Sequence, residues 1–89
     1  MVQIFFIYAE NCKHCNEALL TIEGAIIKCP EISCKISKFH YDTKPAILIA
    51  INNGIDDLPG FVIGTDVYIG KDYSEEHIIK SIKKASKNG

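Results

Sequence analysis

The stretch Val2-Gln3-Ile4-Phe5-Phe6-Ile7-Tyr8 constrains the fold more than any other feature of this chain. It is rich in aromatic and β-branched residues and apolar on both faces from Ile4 onward, which predicts a strand covered on both sides in an α/β sheet. After Ala9-Glu10-Asn11 the period changes. Cys15, Ala18, Leu19, Ile22, Ala25, Ile26 and Cys29 recur at steps of mostly three and four, with Lys13, Glu17, Glu23 and Lys28 mostly between them. This predicts a helix over 13–28, ended by Pro30. Gly24 inside it costs about 1 kcal/mol relative to Ala without breaking the pattern.

Cys34 to Asp42 reads as a second strand whose alternation is imperfect, as a bulge or an edge position would make it. Thr43-Lys44-Pro45 resembles a helix start and Asn52-Asn53-Gly54 a helix end. Between them, residues 46–51 are apolar all round. Period alone does not separate a buried strand from a short buried helix there, and the end signals favour helix. Residues 55–60 form a loop, and Phe61-Val62-Ile63 and Val67-Tyr68-Ile69 around Gly64-Thr65-Asp66 form a hairpin signal closed by Gly70. A last helix begins at Ser74, with Glu75 and Glu76 in its first turn and Ile78, Ile79, Ile82 and Ala85 on its buried face. The order is β-α-β-α-β-β-α, in a single domain over residues 1–89 without repeats or linkers.

At 89 residues such a chain buries only about 60–65% of its unfolded surface, so its core must be dense. The 47% apolar content, rich in Ile, meets that need. Ten Lys and no Arg against eleven acidic residues leave a formal charge of −1, which argues against nucleic acid as a partner. Lys80, Lys83, Lys84 and Lys87 are read as cations at the end of the last helix. The apolar run at 2–8 is too short to span a bilayer and has no basic flank, so neither membrane nor export is expected. Four Cys in a chain with a real core suggest a reducing, cytoplasmic setting rather than a secreted disulfide scaffold. A monomer is expected.

Cys12-Lys13-His14-Cys15 is the sharpest chemical feature, two cysteines three apart where a strand gives way to a helix. Unpaired backbone N–H groups and the helix dipole favour a thiolate at Cys12, and Lys13 and protonated His14 add positive charge. Cys12 is then the exposed nucleophile, and Cys15, one turn inside, the buried resolving thiol. A zinc site built from Cys12, Cys15, Cys29 and Cys34 is the competing reading. A helix over 13–28 separates Cys15 from Cys29 by about 20 Å, against Zn–S bonds of about 2.3 Å, so no metal ligand is assigned. Cys29 and Cys34 are expected to be core thiols, with a second disulfide closing the loop at 30–33, or redox-sensitive thiols, as the alternatives. His40 and His77 have no partner at metal-binding spacing and are read as surface or half-buried residues.

With these residues in hand, the chain resembles the thioredoxin superfamily, and in size and element order its small glutaredoxin-like branch. Tyr8-Ala9-Glu10-Asn11-Cys12-Lys13-His14-Cys15 is similar to the active-site segment of that superfamily, and Leu58-Pro59 stands where it carries a cis-proline. The resemblance implies a four-stranded mixed sheet flanked by three helices, a cis Leu58–Pro59 bond with Pro59 facing the cysteines, and Leu58 backbone pairing with an incoming substrate. Tyr8, Leu58, Pro59, Gly70, Lys71 and Asp72 are the substrate- or glutathione-binding positions it implies. Departures from the glutaredoxin pattern are the absence of a cation in Ala9-Glu10-Asn11 and a Gly70-Lys71 pair in place of two glycines. A helix start near Asp72 to Ser74 could still receive a carboxylate, with Lys71 partly replacing the missing cation.

The function implied is thiol–disulfide exchange in electron transfer and cell redox homeostasis. Protein or glutathione disulfides, a ribonucleotide reductase among the possible clients, would be reduced with glutathione as co-substrate and no tightly held cofactor. The alternatives are a thioredoxin-like protein recycled by a flavoprotein reductase, a zinc- or iron–sulfur-binding module using the same cysteines, and an interaction domain with idle thiols.

Overall fold

In the computed structural model, which describes residues 1–88, strand β1 (Val2–Tyr8) lies inside a four-stranded sheet. Helix α1 (Lys13–Ile27) carries the chain across to β2 (Cys34–His40), which pairs parallel to β1 from Val2↔Cys34 to Tyr8↔His40 without interruption. The weak alternation of β2 is therefore that of an edge strand and not of a bulge, and Tyr41 and Asp42 belong to the turn beyond it. Helix α2 (Lys44–Asn53) follows, then β3 (Gly60–Ile63) and β4 (Asp66–Ile69), then α3 (Glu75–Asn88). The β3 strand pairs antiparallel to both β1 and β4, giving the mixed order β2-β1-β3-β4.

The side chains pointing to one face of the sheet make the core. Ile4, Phe6, Phe61 and Ile63 meet Ala18, Ile22 and Ala25 of α1 and Ile78 and Ile82 of α3, all essentially inaccessible to solvent. Each of the larger side chains contributes about 1.5–3 kcal/mol by burial. The hairpin is fastened to α3 by polar groups: Ser81 donates to Asp66 Oδ2 at 2.7 Å, Lys84 to Asp66 Oδ1 at 3.1 Å, and the Tyr68 hydroxyl lies on Ser81 and on the His77 carbonyl. Lys84 thus has a specific partner besides the helix dipole. At the hairpin turn Gly64 has φ +60°, and a Cβ there would lie 2.9 Å from that of Ala85, so both backbone and packing require glycine.

On the opposite face the structure corrects the expectation of complete cover. Residues 46–51 are helical, as their end signals suggest, with Pro45 in the first turn and Gly54 in the left-handed conformation at the C-cap. The helix is not buried, however: of its residues only Ala46 is buried, while Ile47, Leu48 and Ile51 are 47%, 52% and 71% exposed. A single short helix turns one narrow face to the sheet, and its other apolar side chains meet solvent. No helix among the described residues is long and apolar enough to cross a membrane.

Candidate active site

Cys12 is the N-cap of α1, in extended conformation at φ −98°, ψ 102°. Asn11, at φ +54°, makes the turn from β1 into the helix; Asn is among the few residues that tolerate this region. The Cys12 Sγ accepts the backbone N–H of Cys15 at 3.1 Å and is joined to Cys15 by a disulfide with a Cα–Cα distance of 5.2 Å, within the usual range. Cys12 is half-buried, whereas Cys15 is only 2% exposed and packs in the core cluster. The cap position supplies N–H groups and the positive end of the dipole to Cys12.

The Leu58–Pro59 bond is cis. The β1–β3 register, Ile7↔Gly60, sets Pro59 level with Tyr8, at the sheet end from which the chain leaves for Cys12. Pro59 is buried, its carbonyl accepts the Gly70 N–H at 2.8 Å, and the Leu58 N–H is held by Asp57 Oδ1 at 2.8 Å. Gly70 has φ +68°, and a Cβ on it would lie 3.2 Å from Asp57 Oδ2. Gly70 is thus a joint between β4 and the cis-peptide loop.

Lys13 and His14 are both exposed, with His14 Nδ1 3.5 Å from Glu17 Oε1. Lys71 and Asp72 are exposed in the turn after β4, but α3 begins only at Glu75. Glu75 pairs with Lys28 and abuts Gly24, twelve residues and about 18 Å along α1 from Cys12. The start of α3 is therefore acidic and directed at the far half of α1.

Two groups near the site escaped the sequence reading. Lys38 lines a cavity of about 240 Å³ with Phe6, Tyr8, Cys15, Asn16 and Leu19, because the parallel register sets it beside Phe6. His40, opposite Tyr8 in the same register, has Nδ1 2.5 Å from Asp42 Oδ1 and Nε2 3.5 Å from Glu10 Oε1. His40 thus has carboxylate partners after all. Glu10 comes from the loop that leads into Cys12, a proximity only strand pairing creates. His77 is exposed on α3, and its N–H donates to Ser74 Oγ at 3.2 Å.

Cys29 and Cys34 are free thiols, the first buried and the second half-buried. Burial, and the neighbouring Cys29, push the Cys34 thiol above its ordinary value. Among the described residues no three His, Cys, Asp or Glu side chains converge as a metal site would require.

No protein-family model and no curated protein matches the sequence. Solved structures do match the fold. An uncharacterised thioredoxin-like protein from Clostridium perfringens superimposes with a TM-score of 0.75 at 12% identity, covering 96% of this chain and 71% of its own. Mitochondrial thioredoxin 3 from Saccharomyces cerevisiae, in its oxidised form, gives 0.66 at 24% identity, covering 93% and 77%. Thioredoxin from Aeropyrum pernix gives 0.66 at 17% identity, covering 93% and 73%. The fold is thioredoxin-like, and the chain carries a cysteine pair bonded at the start of its first helix.

Proposed function

We propose that the protein is a dithiol thiol–disulfide oxidoreductase. The observation that carries this reading is the position of Cys12: half-exposed, at the helix N-cap, and bonded to a buried Cys15 one turn further on. In the reduced protein the Cys12 thiolate attacks one sulfur of a substrate disulfide, forming a mixed disulfide and releasing the other substrate sulfur as a thiolate. Cys15, deprotonated, then attacks Cys12 Sγ and expels the second substrate thiolate, which takes up a proton. Two electrons pass to the substrate and the Cys12–Cys15 disulfide forms. A dithiol or two monothiol reductants restore the pair.

The helix N-cap position of Cys12, with the cationic Lys13 next to it in sequence, favours the thiolate and so the reduced form, and the reduction potential is expected above the roughly −270 mV of thioredoxin. Protein disulfides are favoured over glutathione as substrate. Gly70 is engaged with Pro59, and the acidic first turn of α3, with Glu75 and Glu76, opposes a ligand carboxylate. Lys71 and Asp72 remain available beside that loop for a glutathione reading.

Turnover on a protein disulfide, measured separately with glutathione plus its reductase and with a flavoprotein thioredoxin reductase, tests both levels. Activity with either supports the chemistry, and the better donor distinguishes a thioredoxin-like from a glutaredoxin-like protein. Inactivity with both, together with an unreactive Cys12 in the reduced protein, refutes the proposal.

A further inference from the structure

His40 closes β2 at the sheet end where β1 leaves for the disulfide, opposite Tyr8 in the parallel register. The backbone is fixed there. The His40 carbonyl accepts the Thr43 N–H at 3.0 Å and the Thr43 hydroxyl at 2.7 Å, and the Tyr41 N–H donates to the Tyr8 carbonyl at 2.8 Å. The half-buried ring lies beside Tyr8 and Tyr41, with centroids 5.5 and 4.9 Å away. It meets a carboxylate at each nitrogen: Asp42 Oδ1 is 2.5 Å from Nδ1, and Glu10 Oε1 is 3.5 Å from Nε2. A neutral imidazole donates from one nitrogen and turns a lone pair outward at the other, whereas the imidazolium donates from both. Carboxylates so placed are both satisfied only by the charged ring.

Glu10 matters to the chemistry because of where it stands. Two steps of about 3.8 Å along the chain put its Cα within about 8 Å of that of Cys12, close to a Debye length at physiological salt. A free carboxylate at that distance opposes the Cys12 thiolate, and residues 9–11 carry no cation to offset it. We infer that His40 is a positioning residue for the thiol chemistry: its ring, oriented by Asp42, holds and neutralises the Glu10 carboxylate and so spares the Cys12 thiolate a repelling charge. The inference rests on the oxidoreductase reading and adds to its machinery a residue from the edge strand. The titratable groups against the ring are Glu10 from the loop after β1, Asp42 and Tyr41 from the turn after β2, and Tyr8 from β1 itself. Of these the two carboxylates carry charge at neutral pH, and both face ring nitrogens.

The test follows iodoacetamide labelling of Cys12 in the reduced full chain between about pH 4.5 and 7, where an ordinary histidine, titrating near 6.5, is charged over most of the range. His40→Gln keeps a hydrogen-bonding side chain and removes the charge. It is expected to slow labelling about twofold on the rising limb of the pH profile, the scale of one unit charge about 8 Å away in water. Adding Glu10→Gln to His40→Gln should restore the native rate, and about 1 M salt should erase the difference between His40→Gln and the native chain. No slowing overturns the inference. Slowing that Glu10→Gln leaves in place overturns it too, since a merely structural defect does not depend on the charge of Glu10. Should His40→Gln fail to fold, the ring-nitrogen NMR spectrum of His40 decides: Glu10→Gln, at an exposed position, should displace the Nε2 resonance, and an unmoved resonance overturns the inference. A native Cys12 that labels no faster than free cysteine overturns the oxidoreductase reading instead.

Discussion

One pair of cysteines opens helix α1 and the other stands between its end and the start of β2, and the pairs could hardly differ more. Cys12 and Cys15 cap its start, bonded to one another, with Cys12 half-exposed and receiving a backbone N–H. Cys29 follows the last turn of α1 and Cys34 opens β2, both free, Cys29 fully buried and its N–H already given to the Ile26 carbonyl. The N-terminal end offers unpaired donors and positive potential to a thiolate, and the C-terminal end offers carbonyls and negative potential. At Cys34 it is burial, then the proximity of Cys29, that pushes the group toward the neutral thiol. The contrast is thus between a sulfur at a helix N-cap and a thiol that burial, first of all, keeps neutral at the start of β2.

The most severe way to break this comparison is to remove sulfurs. Cys12→Ser should lose turnover by about 10³-fold or more, the scale of deleting a nucleophile, while Cys34→Ser keeps it. Equal losses in steady-state assays would show that the second pair takes part in the chemistry. Cys15→Ser should accumulate a mixed disulfide on Cys12, visible by mass spectrometry.

Iodoacetamide labelling of the reduced protein sharpens the contrast. At pH 7 Cys12 is expected to react at least about tenfold faster than Cys34. Raised above 9.0, Cys34 should gain reactivity only in the alkaline range. A labelling profile for Cys34 that rises below pH 8 contradicts the account of its surroundings.

Stability separates the pairs in the other direction. Cys29→Ser puts a hydroxyl at a site with no solvent exposure and is expected to cost about 1–3 kcal/mol in urea denaturation, with Cys34→Ser costing less. The smallest effect lies away from both pairs, at the seam between β4 and α3. The hydrogen bonds from Ser81 and Lys84 hold the Asp66 carboxyl below its usual value, so its stabilisation is present above about pH 4 and is lost as pH falls through the lowered folded-state value. Asp66→Asn should cost about 1 kcal/mol at neutral pH, less near pH 3, and equally in the oxidised and reduced protein. A gap that depends on redox state would couple that seam to Cys12.

The cysteine pair, its helix and the order of the elements were legible because each depends on neighbours in sequence. The period change after Tyr8 marks the strand-to-helix junction, and the junction gives Cys12 its cap position. Lys38 and His40 were not legible as site residues. Their relevance comes from the β1–β2 register, which sets Lys38 beside Phe6 and His40 beside Tyr8, thirty-two residues away in each case. The exposure of α2 was hidden for a similar reason: an all-apolar helix reads as buried until the number of elements available to cover it is known.

By itself, then, the sequence determined the local features: where strands and helices begin, which cysteine caps a helix, and that Gly54 and Gly70 stand where the chain must turn. Only the tertiary structure decided that Glu10 meets His40, that Asp57 holds the Leu58 N–H beside Gly70, and that α2 leaves an apolar groove next to Pro59. Backbone preference and hydrophobic period act over a few residues and leave a trace in the linear pattern. Pairing register and the cover of one face by another are settled when distant segments pack, and no local pattern encodes them.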